Sequence, residues 1–389
     1  MNRKKNHLYF EIGTSQLNKH GEILCGDSII TDANRETATA ILSDGLGSGV
    51  KANILSTLTS KILSVMLRND CPLEEVVSTL VQTLPTCSIR QLAYSTFSVA
   101  QFYSKGSLHL VQYDNPPILF IRRNKVREIA YQESKMHGKI IKEAELDLEE
   151  GDIFVLMSDG EVHAGICNTL NFGWSWENIA DFTERISSKP LTSREIAFEL
   201  TNVANKLYGE EPGDDTSVIV VKVRQKRYLS VMVGAPKDKN DDAMIVREFM
   251  EAPGRKVICG GTTGNIVARE LNRKIEVDLS GLKEGIPPVG KLEGIDLCTE
   301  GIITISKTLK ELQRDDISYK KLEINKDGVT GLIKELTKAD DVTFYMGQAI
   351  NPAHQTANMP MEFGLKTQIM EKIGEILRKK GKHIVIKYA

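Results

Sequence analysis

No stretch of the 389-residue sequence approaches the roughly 18 consecutive apolar residues that a membrane-spanning helix requires. The opening Met1-Asn2-Arg3-Lys4-Lys5-Asn6-His7 is basic, but Leu8-Tyr9-Phe10 meets Glu11 at once, so the apolar core of a secretion signal does not develop. The six cysteines, Cys25, Cys71, Cys87, Cys167, Cys259 and Cys298, lie far apart, with no C-x-x-C pair and no histidine at zinc-finger spacing beside them. This speaks against a zinc module and reads as reduced thiols. Charge of either sign is also missing in excess: 50 Lys and Arg against 52 Asp and Glu leave a net −2. No global basic field exists to hold nucleic acid or anionic lipid. Internal repeats and low-complexity segments are absent too. The expectation is a cytoplasmic protein that engages neither membrane nor nucleic acid; a homo-oligomer is compatible with all of this.

What the sequence does hold is ordinary globular material, 41% hydrophobic and 26% charged, long enough for two or three cores. From residue 8 to about 224, short runs punctuated by Gly, Asn and Asp read as strands: Ala38 to Ser43, Thr96 to Tyr103, Ser107 to Tyr113, Ile118 to Arg122, Ile153 to Met157 and Val218 to Val223. A helix follows Gly49, where Val50, Ile54, Leu55, Leu58, Ile62 and Val65 make one apolar stripe, and another is expected from Ser193 to Tyr208. After Val223 the polar Arg224-Gln225-Lys226-Arg227 changes the rhythm, and strands begin to alternate with helices. The reading is an α+β layered domain over 1–225, followed by a separate α/β domain over 226–389.

Four acidic turns carry the chemistry. Asp27 lies in Cys25-Gly26-Asp27-Ser28, Asp44 in Ser43-Asp44-Gly45-Leu46-Gly47-Ser48-Gly49, Asp159 in Ser158-Asp159-Gly160-Glu161, and Asp214 in Gly213-Asp214-Asp215-Thr216. Each abuts a strand. Any one alone is an ordinary turn, since Asp-Gly and Asp-Asp favour turns. Independent turns have no reason, however, to repeat Ser-Asp-Gly after an apolar strand. Carboxylates gathered at strand ends repel each other unless a cation compensates. Hard oxygen ligands without Cys or clustered His select Mg²⁺ or Mn²⁺. Two such ions can generate a hydroxide and clamp an in-line displacement at phosphorus. The Gly45 to Gly49 run with Lys51 lacks the spacing of a nucleotide-binding P-loop and reads as the turn that places Asp44.

In their order and spacing, these four motifs, with Val111-Gln112-Tyr113-Asp114-Asn115-Pro116-Pro117-Ile118 between them, resemble the stage II sporulation protein E branch of the type 2C metal-dependent serine/threonine protein phosphatases. The likeness spans residues 8 to 223. It implies an αββα sandwich, two antiparallel sheets flanked by helices, with two Mn²⁺ or Mg²⁺ ions at one edge. Asp27 and Asp44 match the carboxylates that contact both metals, the carbonyl of Gly45 completes one shell, and Asp159 and Asp214 match the remaining ligands. Asp215 stands beside a ligand, without an assigned role. The implied reaction is hydrolysis of phosphoserine or phosphothreonine on a regulatory protein by direct attack of a metal-bridging hydroxide, with no phosphoenzyme. The arginine that grips phosphate and the histidine that protonates the leaving group in long type 2C members have no clear counterpart; His163 is near enough in sequence to serve as that acid, or to cap a turn. Two alternatives stay open: a noncatalytic phosphoprotein-binding scaffold, and a binuclear metallohydrolase acting on another phosphoester.

The second half resembles no family. Its strongest signal is Val257-Ile258-Cys259-Gly260-Gly261-Thr262-Thr263-Gly264-Asn265, a strand running into a Gly-Thr turn and a helix expected from Asn265, suited to an anionic small molecule. A loop at Asp296-Leu297-Cys298-Thr299-Glu300-Gly301 is expected to face it. This domain is expected to sense a ligand or partner and set activity.

Overall fold

The computed structural model describes residues 8–34, 36–84, 95–166, 168–278, 289–314, 327–349 and 360–389, the last of these with side chains from residue 365. The chain divides into two compact units, 1–225 and 226–389.

The first unit runs β1 (Leu8–Leu17), β2 (Asp27–Ala33), β3 (Thr37–Gly45), α1 (Gly49–Arg68), α2 (Leu73–Thr83), β4 (Ser95–Tyr103), β5 (Ser107–Tyr113), β6 (Leu119–Arg122), β7 (Lys125–Arg127), β8 (Gln132–Met136), β9 (Lys139–Asp147), β10 (Ile153–Met157), α3 (Asp159–Val162), α4 (Trp176–Ser187), α5 (Ser193–Leu207) and β11 (Thr216–Gln225). Two antiparallel sheets result, ordered β2-β3-β4-β5-β9-β8 and β1-β11-β10-β6-β7. Strand side chains alternate between faces, and here both faces are covered, which explains the unbroken apolar run of β10. Phe154 and Leu156 point into the core between the sheets, with Phe102, Leu110 and Ile219. Ile153, Val155 and Met157 point outward onto α4 and α5, against Ile179, Ile196 and Leu200. On the other sheet, Ile41, Val99 and Val111 meet Leu63 of α1 and Leu80 of α2. The architecture is the expected αββα sandwich. Helices α2 and α4 are short, and their stripes of about three apolar residues escape the periodicity reading.

Helix α1 departs from its sequence pattern. Val50 and Ile54 are 61% and 50% exposed, and Leu58 and Val65 also face outward. The buried face is Ala52, Ser56, Thr59, Ser60 and Leu63. The cause is close approach: a Cβ on Gly45 would stand 2.0 Å from the carbonyl oxygen of Ala52, so only small side chains fit under the first turns of the helix. The buried hydroxyls are satisfied, Thr59 by the Leu55 carbonyl at 2.8 Å and Ser60 by Ser28 at 2.8 Å, which removes the cost of burying them.

The second unit runs β12 (Tyr228–Val233), α6 (Asp242–Glu251), β13 (Arg255–Cys259), α7 (Gly261–Glu270), β14 (Glu276–Asp278), β15 (Val289–Lys291), β16 (Leu297–Thr299), α8 (Ile302–Leu312), α9 (Gly328–Lys338), β17 (Asp341–Met346), α10 (Pro360–Lys379) and β18 (His383–Tyr388). Its sheet is ordered β14-β15-β16-β13-β12-β17-β18. The five strands from β16 to β18 are parallel, and β14 and β15 pair antiparallel. Helices α6 and α7 cover one face through Phe249 and Val267, and α8, α9 and α10 cover the other through Ile305, Leu332 and Ile373. This doubly wound order reverses between β12 and β17. Three expectations change here. Leu297 to Thr299 is the strand β16 rather than a loop, α7 starts at Gly261 rather than Asn265, and α6 is an additional helix. The strand expected at Leu322 to Ile324 lies outside the described residues.

Candidate metal centre

Antiparallel register makes the first half of the site. Asp27 opens β2 and Asp44 lies at the end of β3, and they are direct cross-strand partners. Like charges opposite each other destabilise a sheet. Asp159 opens α3 directly after β10, and Asp214 and Asp215 close the turn before β11, the neighbouring strand. Two hydroxyls hold the start of α3 against β11 and the end of α5: the Ser158 hydroxyl accepts from the Ser217 N–H at 2.9 Å, and the Tyr208 hydroxyl donates to the Gly160 carbonyl at 2.7 Å. A Cβ on Gly160 would meet the Asp215 carbonyl at 2.1 Å, so glycine is required after Asp159. The same holds at Gly45, whose N–H donates to Gly26 at 3.3 Å and fixes the backbone beside Asp44.

The acids feel one another across both sheets. Asp27 is 3% exposed, and neither of its carboxylate oxygens has a hydrogen-bond partner. Burial first, then the charges of Asp215 and Asp159, push its pKa up to about 7. The hydroxyls of Ser217 and Ser158 lie close enough to offset this in part, but neither reaches Asp27 in hydrogen-bond geometry. Asp44 is raised further, by burial and then by Asp27, Asp159 and Asp214. Asp214 is raised by burial and by Asp159, and lowered by Lys19. One oxygen of Asp215 accepts from the Lys19 N–H at 3.0 Å; the other is buried and unpartnered. Among the described residues, no three His, Cys, Asp or Glu side chains form a closed metal cage. The acids are neighbours with open oxygens rather than a finished coordination sphere. A buried carboxylate without partners, beside further acids that are all oxygen donors, fits a hard divalent cation.

The structure thus brings together Asp27, Asp44, Gly45, Asp159, Asp214 and Asp215. His163 caps the C-terminal end of α3, its N–H donating to the Asp159 carbonyl at 2.9 Å. Lys19, Ser158, Ser217 and Tyr208 escaped the sequence reading, because no motif marks them; only folding sets them beside the acids. In the second unit, Gly260 takes φ +124° as the N-cap of α7, and its N–H is used by the Thr299 carbonyl at 2.8 Å. The Thr263 hydroxyl is buried and accepts from the Gly234 N–H at 3.0 Å, while Gly264 packs closely on Ile275 and Cys298. Of the anion-turn residues, Gly261, Thr262 and Asn265 remain at the surface.

The family model described as Stage II sporulation protein E (SpoIIE) matches residues 34–224. No curated protein matches. Solved structures with a similar backbone include the PP2C phosphatase domain with a fragment of the regulatory domain of SpoIIE from Bacillus subtilis, at 21% identity and TM-score 0.47, covering 57% of this chain and 64% of that one, less than two thirds of its length. The same phosphatase domain in a crystal form without domain swapping gives 20% identity and TM-score 0.42, with 57% and 94% covered. RsbX in complex with magnesium gives 19% and 0.40, with 57% and 97% covered. Residues 34–224, just under half of the chain, thus carry a domain that the SpoIIE (PP2C-like) family model describes.

Proposed function

We propose that the chain hydrolyses phosphoserine or phosphothreonine on a regulatory protein, in a reaction that depends on two Mn²⁺ or Mg²⁺ ions. Asp27, Asp44, Asp159, Asp214 and the Gly45 carbonyl would hold them; when bound, such ions supply a nucleophilic water at neutral pH and positive charge for the phosphoryl oxygens. The observation that carries this reading is the cross-strand pair Asp27 and Asp44, with both Asp27 oxygens buried and unpartnered. A scaffold that only binds phosphoprotein has no use for an acid pair that repels its own ligand. The chain's own contribution is to bury Asp27 with both its oxygens free of hydrogen bonds, to set Asp44 opposite it by strand register, and to bring Asp159 and Asp214 beside them.

The regulatory protein as substrate rests on the character of the family. The cytoplasm is the proposed compartment; among the described residues, no helix is long and apolar enough to cross a membrane. The second unit is proposed to sense a small anion at the start of α7, where Gly261 and Thr262 are exposed at a helix N-terminus.

The test compares wild type with Asp44→Ala and Asp159→Ala on p-nitrophenyl phosphate and a phosphoserine peptide with Mn²⁺. Loss of turnover in both variants supports the reading, and equal rates in all three proteins end it. Turnover of a nucleotide phosphodiester in preference to the peptide would favour the other-phosphoester alternative.

A further inference from the structure

Most of the hydrophobic stripe of α1 faces solvent. Val50 is 61% exposed, Ile54 50% and Leu58 39%, one above the next at four-residue steps along the helix. The strip begins at the acids. Leu46, two residues after Asp44, is 42% exposed, and Ile23, four residues before Asp27, is 92% exposed. The Ser48 hydroxyl donates to the carboxylate of Glu22, the neighbour of Ile23, at 3.2 Å, which sets that loop beside the start of α1. Exposed apolar residues scattered singly need no explanation, whereas a contiguous run of them marks an interaction site.

The loop that carries Ile23 is pinned. The Asn18 amide donates to the Ile23 carbonyl at 3.0 Å, the Lys19 N–H to Asp215 at 3.0 Å, and the Asn53 amide of α1 to the Cys25 carbonyl at 2.8 Å. An apolar side chain held out from a fixed backbone loses little freedom when a partner covers it. Charge narrows the partner further. Helix α1 contains no Asp or Glu, and its exposed side also bears Lys51 and Lys61. Arg68, in its last turn, is engaged by Asp32 at 2.6 Å. An apolar face with cations and no acids is complementary to a surface that is apolar and acidic. It is thin in charge for an anionic membrane, which is read from clusters of about four to eight Lys and Arg. A protein substrate, by contrast, has to come to the acids, where the strip starts.

We propose that the strip from Ile23 and Leu46 along Val50, Ile54 and Leu58 is the docking surface for the phosphoprotein substrate, which lays an apolar and acidic segment along α1 while its phosphorylated residue enters the acid cluster. This rests on the phosphatase reading above, and the experiment separates the two. Two phosphoserine peptides serve as probes, one extended on both sides by Leu and Glu at helical spacing, the other with every Leu replaced by Ser. With Mn²⁺ present, kcat/KM is measured on both peptides and on p-nitrophenyl phosphate, for wild type and for the double variant Ile23→Ser, Ile54→Ser, whose changes lie at exposed positions. The expected result is a roughly tenfold preference of wild type for the Leu peptide, a preference within twofold in the variant, and equal rates of both proteins on p-nitrophenyl phosphate. Equal rates of wild type on the two peptides, or a preference that survives in the variant, would overturn the proposal while leaving the phosphatase reading intact. So would a wild-type dimer in sedimentation that the variant dissociates, or binding to phosphatidylserine vesicles that the variant loses, since the strip would then belong to a second copy or to a membrane. No turnover of any of the three probes by wild type overturns the phosphatase reading, and this inference with it.

Discussion

Among the described residues, the buried acids of the second unit each have a partner, whereas the first unit also holds buried acids with none. In the second, Asp242 accepts from Arg269 at 2.5 Å, Asp327 caps α9 through the Thr330 N–H at 2.9 Å, and Asp340 accepts the Arg227 N–H at 2.8 Å. Each ties two pieces of chain together. In the first unit, Asp152 behaves the same way, gripping Arg122 through two hydrogen bonds at 2.8 and 2.7 Å. Asp27 is equally buried and has nothing. A buried acid with a partner is structure; one without a partner, facing other acids, is an incomplete site, because an uncompensated carboxylate costs several kcal/mol to bury.

That contrast can be broken most directly by deleting one acid of each kind. Asp44→Ala is expected to lower kcat on a phosphoserine peptide by more than the roughly hundredfold typical of losing a residue that only supports a metal ligand, with its metal-free melting temperature unchanged or raised. Asp152→Ala should do the reverse: about 3 kcal/mol of stability lost in a urea titration, because Arg122 loses its buried bidentate partner and keeps only Glu149 and the Asp147 carbonyl, with kcat per folded molecule intact. Loss of stability in the first variant or of turnover in the second would merge the two classes of acid.

The next expectation concerns pH. Asp27 titrates near 7 in the folded chain against about 3.9 unfolded. A folded pKa above the unfolded one contributes stability that is fully present below about pH 4 and lost as pH rises through about 7. The metal-free protein should therefore melt at a lower temperature at pH 7.5 than at pH 5. Mn²⁺ at a hundred times its Kd should return about 2.7 kcal/mol at the higher pH. A metal-free melting temperature that is flat or rising over this interval would count against uncompensated acids.

The smallest effect belongs to α1. Ile54→Ser on its exposed face is expected to change stability by less than about 0.5 kcal/mol. Ser60→Leu on the face lying against β2 and β3 should cost about 1 to 3 kcal/mol through overpacking, read by chemical denaturation. Equal costs would mean that the helix buries the other face.

Most of the site was legible because glycine is demanded where it stands: Gly45 and Gly160 leave no room for a Cβ, and the Ser-Asp-Gly grammar follows from that. The strands of the sandwich were legible for a similar reason, since β10 and β11 are buried on both faces and cannot tolerate polar interruptions. The face of α1 was not legible. Four of its six stripe residues, Val50, Ile54, Leu58 and Val65, point outward because close packing against Gly45 outweighs the period of its apolar residues. Lys19 was equally invisible: it is placed by hydrogen bonds to Asp215 and Pro212, almost two hundred residues away in the chain.

The sequence by itself determined the residue types that can bind a hard cation, the turns that carry them, and the change of rhythm near residue 225, because each depends on neighbours a few positions apart. Only the tertiary structure decided that Asp27 faces Asp44, that Asp159 and Asp214 join them, and that Lys19 stands at their rim. Those are long-range pairings, settled by strand register and by which faces pack, and no local pattern encodes them.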